Sequence, residues 1–458
     1  MKVLQKFVQG HLLRFLRLTE KPRLEIQHLN HITGNDKQNI KDDNLEELEV
    51  GFESKEEEGE ESDIVLGKDV HEYPKPMKQK FIVGGAVDRN LSQYFRINKS
   101  LGSKDRAYIA ETVYNYVRWK GLIETLSESN WQSKLATLQL FMPALKHHET
   151  TSYLEFIRRI QHSRNEKVRQ SFQLPKHIQL SFPEFLYSLL KKEYPDRVDE
   201  ICFALNTQAP TTIRTNTTLI SRDELIKRLE EKGIGVSKTH ISPVGINLTK
   251  RINLFSLEEF KEGMFEMQDE GSQFVGLLIN PSSKQRILDY CSGSGGKILA
   301  VAPLMKGGQF YLHDVREQAL KEARIRMKRA KIHNVQFIES SEIQKLNQLR
   351  GKMDCILLDV PCSGSGTLRR NPDQKWKINQ EYLEKLVQKQ REIFKASLPC
   401  LKPKGRLIYS TCSILQSEND DQVEFLLNNY PLKLEEIVRT WPTVGGMDGF
   451  FAAKFVHL

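Results

Sequence analysis

The spacing of apolar residues divides the chain into three regions. Over residues 84–205 the spacing is helical. In SKDRAYIAETVYNYVRWKGLIETL, residues 103–126, Ile109, Val113, Tyr116, Val117 and Ile123 recur near the interval of an amphipathic helix. Ser103 is placed to cap that helix, with Arg106 in its first turn. FPEFLYSLLKKEY and RVDEICFALN continue the pattern. Such a region is either a helical RNA-binding module or a scaffold bundle with a charged solvent face. Over residues 206–265 the pattern mixes. TTIRTNTTLI reads as a strand, and SRDELIKRLEEKGI as a capped helix ended by glycine, which suits a small α/β module.

From about residue 266 strands and helices alternate. RILDY (286–290), GQFYLHDV, VQFIES, DCILLDV and GRLIYSTCS read as strands. REQALKEARIRMKRAKI, YLEKLVQKQREIFKASLPCL and SENDDQVEFLLNNY read as helices, and GFFAAKFV as a last strand. This alternation predicts an α/β fold with a doubly wound, mostly parallel sheet. Ligands of such sheets bind outside the carboxyl ends of the strands.

Composition changes the picture in three places. The length of 458 residues implies two to four domains, and 39% hydrophobic with 28% charged residues suits a soluble globular protein. No run of eighteen apolar residues is present, so no membrane span is expected. Six cysteines without a CxxC pair argue against a zinc site or a disulfide framework, and free thiols point to a reducing compartment. The net charge of +9 is uneven: residues 41–62 hold eleven acids and two bases, leaving +18 for the rest. So basic a body suggests a polyanionic partner, nucleic acid first. Residues 41–83 read as an acidic, disordered linker, and residues 1–40 as a basic segment. Deleting residues 1–80 is therefore expected to leave the fold intact. A cytoplasmic location is expected, the alternative being that the basic start is a mitochondrial presequence.

The residues that carry chemistry fall at predicted strand ends. LDYCSGSGGK (288–297) is a glycine-rich turn that lets backbone approach a ligand. Asp314 ends the next strand, where an acid holds the ribose of a nucleoside cofactor. The pattern fits NAD or S-adenosylmethionine; the full GxGxxG and the P-loop are absent. DVPCSGSG (359–366) and STCS (410–413) then place Cys362 and Cys412 behind two further strands. A thiolate adding to C6 of a pyrimidine makes C5 nucleophilic enough to take a methyl group. One thiol can attack while the other serves resolution, and Asp359 can hydrogen-bond the ring. A free thiol has a pKa of about 8.5, so the nucleophile needs a positive neighbour, for which Lys297 is the candidate. Cys202, Cys355, Cys400 and Cys291 read as packing residues.

At these positions the chain resembles the RNA 5-methylcytosine methyltransferases of the Sun type, which include the bacterial ribosomal-RNA methyltransferase B group and the nucleolar Nop proteins. DVPCSGSGTLRRNPDQKW and GRLIYSTCSILQSEN carry the resemblance, with FEMQDEGSQF (265–274) and DGFFAAKF (448–455). The resemblance implies a Rossmann-like class I methyltransferase domain over 266–458. It implies a small RNA-recognition-like α/β domain over 206–265, from IRTN, and an all-helical NusB-like domain over 84–205. By position, Cys412 is the implied nucleophile and Cys362 assists product release. S-adenosylmethionine would bind at Cys291, Ser292, Gly293, Ser294, Gly295, Gly296 and Lys297, with Asp314, Ser341 and Asp359. Two positions depart from the family: Ser294 stands where it has proline, and Ser341 where it has an aspartate, for which Glu339 or Glu342 could substitute.

The implied substrate is RNA, ribosomal RNA first, met by a monomer without metal or membrane. TLRRNPDQKWK places Arg369, Arg370, Lys375 and Lys377 around Trp376, a cluster suited to clamp single-stranded RNA. In the competing reading, Trp376 packs beneath the turn and the bases face solvent. Rival functions are a non-catalytic ribosome-assembly factor, a transfer-RNA methyltransferase and a DNA cytosine methyltransferase; the second cysteine and the helical region disfavour the last.

Overall fold

A computed structural model of the protein describes residues 10–12, 15, 87–145 and 152–458; the acidic linker expected at 41–83 lies outside them. Nine α-helices occupy Val87 to Asn206 among these residues. They close around aromatic side chains: Phe156 lies 5.5 Å from Trp119 and 4.9 Å from Phe203 between ring centroids. The helix expected at 103–126 is two helices, Ser103–Arg118 and Lys120–Thr125. Trp119, with φ −106° and ψ 17°, leaves the helical conformation and sinks into the core. Gly102, not Ser103, occupies the cap, and its N–H donates to Asp105 Oδ2 at 3.1 Å.

The first residues are not separate from this core. Leu12 and Phe15 are buried in it, and the Phe15 ring meets Tyr94 edge-on at 5.4 Å. Deleting residues 1–80 would therefore empty part of the helical core, contrary to the sequence expectation.

The small module has the order strand–helix–strand–strand–helix–strand. Its strands are β1 (Thr211–Thr215), β2 (Val236–Lys238), β3 (Gly245–Leu248) and β4 (Phe265–Met267), antiparallel in the order β2-β3-β1-β4. This is a ferredoxin-like arrangement. Ser221 caps the helix Arg222–Glu231 by accepting from Glu224 N at 3.2 Å, and Gly233 ends it at φ +74°. The module runs past the expected boundary at 265, because Met267 pairs with Ile213. A strand of three residues is too short to show alternation.

The third region holds a seven-stranded sheet in the order β10-β11-β9-β8-β5-β6-β7. Its strands are β5 (Arg286–Asp289), β6 (Gln309–His313), β7 (Val335–Ile338), β8 (Met353–Asp359), β9 (Leu401–Thr411), β10 (Leu432–Thr440) and β11 (Phe450–His457). β5 to β9 run parallel, while β11 lies antiparallel between β9 and β10. The central strands are almost continuously apolar because helices cover both faces. The order reverses at β5, which lies between β6 and β8, and a crevice opens at such a switch point. No described helix is long and apolar enough to cross a membrane.

Phe15→Ala should cost about 3–5 kcal/mol of unfolding free energy, the usual penalty for emptying a buried aromatic site. Deleting only residues 41–80 should leave the thermal midpoint unchanged. Equal midpoints for Phe15→Ala and the parent would contradict the place of Phe15 in the core.

Candidate active site

Four strand ends converge on one cavity of about 1180 Å³. Asp289 closes β5, Asp314 follows β6, Asp359 closes β8 and Cys412 follows β9. All four line the cavity, as does every residue of the turn 291–297 except Gly295. Gly295 is the pivot beneath it. Its φ is +77°, a left-handed conformation that favours glycine over any residue with a Cβ. Gly293, at φ +52°, turns its N–H onto Asp314 Oδ2 at 2.8 Å.

The acids differ in their surroundings. Asp289 is buried, and its Oδ1 has no hydrogen-bond partner. Burial and the charge of Asp359 hold its carboxyl well above the usual carboxylate range. Burial also pushes Asp314 up, but there it is outweighed. The side chain and N–H of Arg316, with the N–H of Gly293, hold Asp314 below the usual range. Arg316 Nε and N donate to Asp314 Oδ1 at 3.0 and 2.9 Å, and its side chain is largely exposed. Ser341 is exposed and lies outside the cavity lining.

On the opposite wall the two thiols touch: Cys362 Sγ lies 3.3 Å from Cys412 Sγ. Beside them Lys297 Nζ is paired with Asp359 Oδ2, and Asp359 Oδ1 accepts from Ser410 Oγ at 3.2 Å. The thiols are electrostatically unequal. The hydrogen bond from Cys362, helped by Lys297 and Thr367, holds the Cys412 thiol below the usual range against burial and the charge of Asp359. The same hydrogen bond, burial and the charges of Cys412 and Glu418 push Cys362 well above it. Nothing in the sequence pattern marked Asp289, Ser410, Thr367 or Glu418. Only Asp289 ends a strand visible in the sequence.

The basic cluster expected to clamp RNA does something else. Arg369 is fully buried, paired with Asp448, and its Nη1 donates to Thr443 O at 2.8 Å. Lys375 is 1% exposed and donates to Arg118 O at 2.6 Å and Asn206 Oδ1 at 2.7 Å. Burial holds its ammonium well below the usual lysine range. Trp376 Nε1 donates to Val117 O at 3.2 Å. These three groups join the sheet domain to the helical domain and to the loop before β11; Arg369 and Lys375 are buried away from solvent-borne RNA, while Trp376 is half-buried. Arg370 alone reaches the cavity wall, where it pairs with Asp269 at 2.8 Å and with Asp448. Among the described residues no group of three or more His, Cys, Asp or Glu is placed to hold a metal ion.

The strand order, the cavity at the switch point and the glycine turn after β5 define a Rossmann-like methyltransferase domain, preceded by a ferredoxin-like domain. Residues 276–456 match the model of the 16S rRNA methyltransferase RsmB/F family, and residues 182–254 match that family's ferredoxin-like domain; the chain belongs to this family. Its members depend on S-adenosylmethionine. The chain is 33% identical over 283 residues to ribosomal RNA small subunit methyltransferase B of Photorhabdus laumondii. The match takes in 59% of this chain and 65% of that protein, so the chain spans just under two thirds of its length. The crystal structure of a methyltransferase homologue from Pyrococcus horikoshii is 28% identical, with a TM-score of 0.55, over 62% of this chain and 98% of that one. The crystal structure of the protein PH0851 superposes with a TM-score of 0.65 over 80% of this chain and 94% of that one; at 24% identity it speaks to fold alone.

The thiol pair sets a measurable order of reactivity. The pH midpoint for iodoacetamide labelling of Cys412, read by peptide mass spectrometry, should lie below the ordinary thiol value of about 8.5. Cys362→Ala removes the strongest lowering influence, so it should move that midpoint upward. An unmoved midpoint would mean that the sulfur contact does not favour the Cys412 thiolate.

Proposed function

We propose that this protein is an S-adenosylmethionine-dependent RNA cytosine-C5 methyltransferase that acts on small-subunit ribosomal RNA. The observation that carries the reading is the pair of touching thiols, one favoured as thiolate, beside the Lys297–Asp359 pair. In this reading Cys412 adds to C6 of the target cytosine, and the C5–C6 electrons shift into the ring toward N3. Asp359, held by Lys297 and Ser410, accepts a hydrogen bond from the amino group, and the Lys297 ammonium beside it supplies the positive charge that stabilises that shift. S-adenosylmethionine supplies an activated methyl group, which C5 accepts. A base takes the C5 proton, Cys362 in its ionised form being the candidate; the C5–H electron pair restores the C5–C6 double bond, and the C6–sulfur bond breaks with its pair returning to Cys412.

Cys362 suits this last stage for a stated reason. What raises its pKa first is the bond to Cys412 and then burial and the Cys412 charge. Once Cys412 is bonded to C6, the sulfur contact and the charge are gone, and Cys362 becomes a better acid–base group when the adduct has to resolve.

The cofactor's wall is chemically apt. A buried carboxyl oxygen on Asp289 lacks a partner, and a Cβ at Gly296 would meet nothing nearer than Gln268 Nε2 at 3.9 Å, which leaves room beside the turn. The turn 291–297 and Asp289 would hold the amino-acid end of the cofactor. Asp314 would hold the ribose once the exposed Arg316 side chain gives way. The RNA would be held by the basic body, so affinity should fall steeply with salt. The target base would leave its stack to reach Cys412.

Cys412→Ala should abolish methyl transfer. Cys362→Ala should still attack and then stall, so a covalent protein–RNA complex should accumulate on a denaturing gel. The double variant should give no adduct. An adduct formed by Cys412→Ala would reverse the roles, and full activity in both single variants would end the covalent reading. Mapping 5-methylcytosine in RNA from cells lacking the gene would identify the substrate. Loss of a transfer-RNA site alone would replace ribosomal RNA, and no loss at all would favour a non-catalytic assembly role.

A further inference from the structure

The glycine turn that faces the cofactor cavity is held from two sides, by a helix of its own domain and by the ferredoxin-like module. Gly293 and Gly295 take positive φ and offer no side chain to pack, so the position of the turn depends on what binds its peptide and hydroxyl groups. Arg326, on the helix Glu317–Arg329, donates through Nη1 to Ser294 O at 2.9 Å and to Ser294 Oγ at 2.6 Å. The other side of the same guanidinium faces the ferredoxin-like module. Arg326 Nε and Nη2 donate to Glu266 Oε2, on β4, at 3.2 and 3.1 Å. Glu266 is buried, and its second oxygen accepts from Arg329. From β1, Arg214 Nη1 donates to Gly296 O at 3.0 Å.

We infer that Arg326 is a positioning residue for S-adenosylmethionine: it fixes the turn through Ser294, and the ferredoxin-like module fixes Arg326 through Glu266. The inference rests on the methyltransferase reading above. Two features separate this role from plain packing. Ser294 and Arg326 both line the cavity, so a shift in their contact reaches the ligand wall directly. A planar fork is also required. One guanidinium binds Ser294 on one side and a carboxylate on the other, a geometry a lysine ammonium does not reproduce. The module thereby presets the cofactor site, although it supplies few of the residues around the turn.

The test is calorimetric binding of S-adenosylhomocysteine to the full chain, with a thermal melt of each variant and steady-state kinetics against S-adenosylmethionine. Arg326→Ala should weaken binding about tenfold or more, the effect of losing hydrogen bonds from a charged donor. It should raise KM for S-adenosylmethionine far more than it lowers kcat. Arg326→Lys should recover part of the affinity. Ser294→Ala should weaken binding less, and adding it to Arg326→Ala should cause no further loss, because its partner is already gone. Should Arg326→Ala not fold, Arg326→Lys and Ser294→Ala decide by the same comparison. Parent-like affinity in Arg326→Ala with a lowered melting temperature would make the arginine merely structural and overturn the inference. A parent protein that fails to bind S-adenosylhomocysteine would overturn the methyltransferase reading itself, and this inference with it.

Discussion

Four charges packed together, with Arg369, Asp269 and Asp448 buried and Arg370 at the cavity wall, fix the loop that carries Cys362. Arg369 and Arg370 follow that loop, Asp448 precedes β11, and Asp269 caps the helix Glu270–Leu277. Burying two carboxylates side by side is unfavourable: burial and the charge of Asp448 push Asp269 up to about 6, against the pull of the two guanidiniums. Such a cluster adds little net stability over an apolar filling, but removing one member costs about 3–5 kcal/mol by leaving its partners uncompensated. Its value is in specifying one arrangement. Around it the backbone is laced tightly: Gly366 N donates to Cys412 O, and Gly449 N to Gly366 O, both at 2.9 Å. A Cβ on Gly366 would sit 2.2 Å from Gly449 O. The two cysteines come from loops fifty residues apart, and this lacing brings their sulfurs into contact.

The helical domain completes the same restraint from the other side. Leu368, Ile378, Ile414 and Leu415 leave the sheet domain and enter the helical core. Tyr194 Oη donates to Ile414 O at 2.7 Å, and Arg118 Nη2 to Arg369 O at 3.1 Å. Both cysteine-bearing loops are thus clamped between domains. The ferredoxin-like module grips the glycine turn in a similar way. Each wall of the cavity is therefore braced by a domain that does not itself hold the two thiols.

Which features were legible in the sequence follows from range. Parallel strands covered on both faces carry apolar runs, so β5, β6, β8 and β9 were visible as such. β10 was not: LKLEEIVRT has exposed glutamates at an edge, and its identity as a strand comes from pairing with β11. The cysteines were legible because few other residues do that chemistry in a turn after a strand. Arg369 and Lys375 look solvent-facing in the sequence because their partners lie far away: Asp448 is 79 positions from Arg369, and Asn206 is 169 from Lys375. A charged residue in a loop looks solvated until the acid or carbonyl that buries it is known. Ser341 misled for the opposite reason. It was placed by alignment to a pattern, and its side chain ended outside the cavity.

The difference between the two thiols begins with the hydrogen bond between them and is reinforced by their surroundings. On the Cys362 side stands Glu418, fully buried, accepting from Ser363 N at 2.8 Å and from Gln390 Nε2 at 3.0 Å. Its position is thus fixed, and its charge adds to the sulfur contact, burial and the Cys412 charge, which push the Cys362 thiol up. On the Cys412 side stand the Lys297 ammonium and the Thr367 hydroxyl, which favour the ionised form. Across the 3.3 Å contact the surroundings favour the proton on Cys362 and the thiolate on Cys412, the direction that the proposed attack needs. Exchanging the two cysteines would exchange nothing, since each position, not each side chain, carries the bias. The proposed order of events, attack from behind β9 and resolution from behind β8, follows the direction in which the sulfur contact first, and then Glu418 and Lys297, bias the two positions.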